Sequence, residues 1–154
     1  MGKIADGLLA HMPARTGFDQ SYDAIREQQA AAVNERFQEY VDAIKLLGQR
    51  AREAGIAEIR SLQDVVPLLL PHTAYKSYPE SFLTGKRWDR LTKWLGTVST
   101  QPTDNVAVDG VEDVDGWVRA CEEAGHHVSC TSGTTGKPAM LPAAKADLDF
   151  AARE

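Results

Sequence analysis

Residues 130–141 read CTSGTTGKPAML, with two glycines, four hydroxyl side chains, a lysine and a proline between apolar or small flanks. Gly133 and Gly136 can take positive φ, which turns successive N–H groups toward one side and shapes a concave anion site. Thr131, Ser132, Thr134 and Thr135 add hydroxyl donors. Lys137 adds a mobile positive charge, which suits a polyphosphate better than a single neutral ligand. Pro138 fixes the exit of the loop. The ligand class these residues point to is phosphate.

Other chemistry is harder to place. A Walker A loop needs four residues between its glycines and a Ser or Thr after its lysine. Here only Thr134 and Thr135 separate Gly133 from Gly136, and Lys137 is followed by Pro138, so GTPase-like and ATPase-like readings of that type are set aside. His126 and His127 precede Cys130 by four and three residues, but adjacent residues of a strand point to opposite faces and cannot converge on one metal ion. Cys121 and Cys130 are the only cysteines and have no CxxC spacing, so both are read as reduced thiols. No side chain stands out as a general base or nucleophile.

The loop needs elements to position it. HHVSC (126–130) reads as a short strand leading in and AMLP (139–142) as a strand leading out, so the glycines sit at the tip of a strand-loop-strand unit. Val114, Trp117, Val118 and Cys121 have helical spacing and Gly125 follows, which predicts a helix over 113–124 with a glycine stop. Thr97–Thr100 is β-prone, and Thr103–Gly110 is polar enough to be a loop. Trp88, Leu91 and Leu95 mark a helix from near Gly85 to near Gly96 whose apolar side belongs to a core. Upstream, Ala30, Val33, Phe37, Tyr40, Ile44, Leu47 and Ala51 predict one long amphipathic helix from near Ser21 to Ala54, closed by Gly55. Ser61 and Asp64 form a capping pair, and Pro67, Pro71 and Pro79 cut the following segment into short turns. Residues 1–18 show no periodicity and read as a flexible lead-in, with a partial domain over 19–154. A last helix is expected to start near Asp147.

The fold class expected is α/β, helix-rich through residue 95, with short strands flanking a glycine-rich phosphate loop. A chain of 154 residues can bury roughly 70% of its extended surface, enough for one core. A net charge of −5 without long runs of either sign disfavours nucleic acid and anionic membranes as partners. No apolar run approaches the ~20 residues that span a bilayer, and residues 1–13 lack the pattern of a secretory signal, so the chain reads as cytoplasmic.

A bare Gly-Thr-Thr-Gly would be read as a hairpin tip without a ligand. The whole string Thr131–Pro138, TSGTTGKP, resembles the phosphate-binding signature of the adenylate-forming enzymes, the superfamily of acyl-CoA synthetases, luciferases and peptide-synthetase adenylation domains. Residues 53–76, EAGIAEIRSLQDVVPLLLPHTAYK, look like the segment that precedes this loop in phenylacetate-CoA ligase and its relatives. With the helix before it and ADLDFAARE (146–154) after it, most of the chain is similar to the N-terminal part of that branch. Ala139 stands where many members of the superfamily place Lys or Arg, and a small residue there is common in the phenylacetate-CoA ligase-like branch.

The resemblance implies an ATP-dependent acyl- or aryl-CoA synthetase. A carboxylic acid substrate attacks the α-phosphate of ATP, pyrophosphate leaves, and coenzyme A captures the acyl adenylate, with Mg2+ assisting. Thr131, Ser132, Gly133, Thr134, Thr135, Gly136 and Lys137 would hold the β- and γ-phosphates, orienting the leaving group and spreading its charge. The family's adenine, ribose, hinge and catalytic-lysine motifs follow this loop and none is found in residues 1–154. The expectation is an N-terminal piece of such a ligase, whether a truncated product, an engineered piece or one half of a split enzyme that needs a complementing C-terminal fragment. Alone it is expected to be inactive. Apolar faces on the long helix and on Trp88–Leu95 would then lack their covering sheet and drive self-association. The alternatives are a non-catalytic phosphate-binding or regulatory module, and a remnant without function.

Overall fold

The apolar stripe from Ala30 to Ala51 is cut by a corner. The computed structural model of the chain describes residues 2–9, 21–133, 136–145 and 148–149. It divides into two compact units, Met1–Leu69 and Leu70–Glu154. Together they give a mixed α/β protein with one two-stranded sheet among the described residues. No helix among these residues is long and apolar enough to cross a membrane.

In the first unit, α1 (Lys3–Leu9) is followed by α2 (Tyr22–Tyr40) and α3 (Lys45–Ala54). The single helix expected over 21–54 is therefore two. Turn bonds continue through Val41 and Ile44, but Ile44 is extended, with φ −93° and ψ 100°. The corner lets both helices bury their stripes on one cluster, where Phe37 and Ala51 pack with Ile59 and Leu68, and Val33, Val41 and Leu47 close around them. Gly48 makes the corner possible: a Cβ there would lie 2.6 Å from the Val41 carbonyl oxygen.

A glycine-to-alanine change inside a helix ordinarily gains about 1 kcal/mol. Gly48→Ala is expected to do the opposite, destabilising this unit by about 1–3 kcal/mol because the backbone of Val41 must give way. A thermal melt of the variant checks the sign.

Gly55 closes α3 as expected, with φ 67° and its N–H on the carbonyls of Ala51 and Arg52. Ser61 and Asp64 likewise form their capping pair. The Asp64 carboxylate accepts the N–H groups of Arg60 and Ser61, each at 2.9 Å, and these bonds hold it below the usual carboxylate range. The pair opens a 3-10 helix, Leu62–Leu68, with Pro67 inside it.

The helix α1 lies where periodicity gives no signal. Its first amides, those of Ile4 and Ala5, donate to Glu35 Oε2 at 3.1 Å, a cap supplied from α2. Residues 10–20, with the expected start of structure near Asp19, lie outside the described residues.

The second unit holds the loop. A 3-10 turn, Ala74–Lys76, precedes α4 (Ser81–Thr84), α5 (Trp88–Leu95) and α6 (Val114–Glu123). Lys86 has φ 51°, which interrupts the chain between α4 and α5 and moves the expected start near Gly85 to Trp88. Trp88, Leu91 and Leu95 are buried, so this face is covered within its own chain and does not offer the open apolar surface expected of it. Thr97–Thr100 is not a strand. The amides of Thr97 and Val98 donate to Trp94 and Leu95, extending the end of α5 as turns, and Val98 is buried.

The predicted helix before the loop is found as α6. Asp113 caps it by accepting the Gly116 N–H at 2.8 Å, and Gly125 follows with φ 88°. The two strands are β1 (His126–Cys130) and β2 (Met140–Ala144), antiparallel, pairing His126 with Ala144 and Cys130 with Met140. The fully buried side chains of the unit include Tyr78, Leu91, Leu95, Trp117, Cys121 and Met140.

Candidate functional site

The β1–β2 register ends at the Cys130–Met140 pair, and residues 131–133 and 136–139 lie at that end of the ladder. The Thr131 N–H donates to the Ala139 carbonyl at 3.1 Å, and the Ala139 N–H returns to Thr131 Oγ1 at 2.9 Å. These two bonds clamp the base of the turn and consume the Thr131 amide while leaving its hydroxyl proton to donate. Further out, Gly133 has φ 64° and Gly136 has φ 127°. The Gly136 N–H closes on the Gly133 carbonyl at 2.9 Å. A Cβ on Gly133 would lie 2.8 Å from the Gly136 oxygen, so position 133 needs glycine for its space as well as its φ.

Ser132 and Gly133 are left with amides that find no acceptor among the described residues. Thr134 and Thr135, two of the expected hydroxyl donors, lie outside the described residues.

Lys137 departs from the expectation of a mobile charge. Its ammonium donates to the Tyr78 carbonyl and stands 4.9 Å above the centroid of the Tyr78 ring. The carbonyl and the ring's negative face together hold the cation against the core. Tyr78 also fixes the next residue, its hydroxyl donating to the Pro138 carbonyl at 2.6 Å. Tyr78 is itself braced: Trp94 meets it edge to face at 4.8 Å and donates Nε1–H to Ser77 Oγ at 2.9 Å. Burial, with the neighbouring Cys130 and Glu80, pushes the Tyr78 hydroxyl up to about 12, so it stays a hydrogen-bond donor at neutral pH.

Beside the turn is an open cleft of about 360 Å³, with His72, Tyr75 and Lys76 on one wall and Thr131, Ser132, Gly133 and Leu141 on the other. The sequence motif did not include the first of these walls. The only signal for it was the place of Tyr75 and Lys76 in the segment preceding the loop.

Both thiols are held toward their protonated form. Burial pushes Cys121 up to about 12, helped by nearby Cys130 and Glu122. Cys130 is also raised, by burial and then by Asp115, and its Sγ lies 3.1 Å from Met140 Sδ. A thiolate would be needed for attack or metal ligation. His126 is buried in β1 with Nε2 3.1 Å from Asn105 Oδ1, and His127 follows on the opposite face. What the turn can do is present amides, hydroxyls and a nearby lysine to an anion. No protein family, curated protein or solved structure matches this chain.

Proposed function

We propose that residues 131–138 are the phosphate-holding turn of an adenylate-forming acid-thiol ligase of the phenylacetate-CoA ligase-like branch, and that the chain is the N-terminal part of that fold. One observation supports the reading above others: TSGTTGKP lies between two paired strands, its glycines are both at positive φ, and the Ser132 and Gly133 amides find no acceptor among the described residues. Those amides and the hydroxyls of Thr131 and Ser132 would receive the β- and γ-phosphate oxygens of ATP, already oriented before the leaving group forms. Lys137 would exchange a neutral carbonyl for a charged oxygen, the stronger acceptor.

Magnesium and coenzyme A belong to the same reading, the ion supplying charge neutralisation at the phosphates. Among the described residues no three His, Cys, Asp or Glu side chains come together, so none of the ion's ligands is assigned to this chain. In this reading the carboxylic acid brings its own nucleophile.

Calorimetric titration with ATP and with pyrophosphate tests the reading. Both are expected to bind, and Lys137→Ala to weaken each by about tenfold, the ~1.4 kcal/mol of one charge-assisted contact. No heat of binding at millimolar nucleotide would overturn it.

A further inference from the structure

We infer that Lys76 is an anion-binding residue of the cleft beside the turn, facing the terminal phosphate of a polyphosphate ligand. The inference rests on the phosphate-holding reading of residues 131–138. The cleft of about 360 Å³ opens on Ser132 and Gly133, whose amides find no acceptor among the described residues, and Lys76 lines it from the opposite wall. Lys137 does not line this cleft and is held on Tyr78. Among the described residues, the lysine that lines the cleft beside these amides is therefore Lys76.

Its setting supports the assignment. Lys76 is half-buried, yet its ammonium has no carboxylate within salt-bridge distance among the described residues, in a chain whose net charge is −5. A lysine with no carboxylate at hand gains a charge-assisted contact when a phosphate enters the cleft. Its backbone is fixed by the Lys76 N–H on the Thr73 carbonyl at 3.1 Å and by the neighbouring buried Ala74. Leu141 and Tyr75 supply apolar surface on either side, which suits a phosphate carried on an organic group.

The test is calorimetric titration of inorganic pyrophosphate and of ATP into the wild-type chain, Lys76→Gln and Lys76→Arg at low salt. Lys76→Gln is expected to weaken both ligands by about tenfold and Lys76→Arg to restore most of that loss, as a charge requirement demands. Far-UV circular dichroism checks that each variant keeps its fold. If wild type binds and Lys76→Gln binds equally well, the role of Lys76 is overturned while the phosphate-holding turn stands. If wild type binds neither ligand, both fall together.

Discussion

Trp117→Ala is expected to leave the loop-bearing unit largely unfolded at room temperature. Trp117 is fully buried in α6, and its indole N–H donates to Thr92 Oγ1 at 2.9 Å. Truncating a buried tryptophan costs about 3–5 kcal/mol through lost transfer energy and the cavity left behind. The buried Thr92 hydroxyl also loses its partner, adding on the order of 1–3 kcal/mol. Domains of this size hold only ~5–15 kcal/mol in total. Because α6 leads directly into β1, the loss reaches the turn. Near-UV circular dichroism and urea denaturation check this, and an unchanged midpoint would overturn it. Trp117→Phe keeps much of the packing but not the Thr92 bond and is expected to fall between the two.

Alkaline pH is expected to destabilise the same unit strongly. Tyr78 and Cys121 are both fully buried, and both are pushed up to about 12 from ordinary values of 10.0 and 9.0. A raised folded value means the fold favours the protonated form, so its contribution is complete below pH 9. Between pH 9 and 12 the unfolded chain releases these protons first, and stability falls by up to ~1.4 kcal/mol per pH unit for each group. Several kcal/mol are lost by pH 12. Urea midpoints measured from pH 8 to 11.5 should fall steeply above pH 9, and Tyr78→Phe should flatten the part above pH 10. Constant midpoints across that range would exclude the effect.

What the sequence disclosed divides according to how local its cause is. The helix over 114–123, the strands around the turn and the stop at Gly55 depend on neighbouring residues and are found where expected. The break between Tyr40 and Lys45 depends on a carbonyl seven residues away meeting Gly48, and a stripe with helical spacing carries no trace of that. α1 is capped by Glu35, about thirty residues on. Thr97 and Val98 have strand propensity, but the carbonyls at the end of α5 take their amides.

The site divides the same way. The two glycines show in the sequence as positive-φ positions and are so in the structure. The restraint on Lys137 comes from Tyr78, fifty-nine residues earlier, and the second wall of the cleft from His72 and Lys76. No spacing rule within the motif could indicate either.

The bracing of Tyr78 makes the turn readable by light. Trp94 lies edge-on to the ring that Lys137 caps, and its indole N–H ends on Ser77 at the neighbouring position. A ligand that lifts the lysine away removes a cation from that aromatic pair and changes the field at the indole. If the proposed phosphate ligand binds, Trp94 is the one of the chain's three tryptophans placed to report it, by a change in emission that needs no attached label.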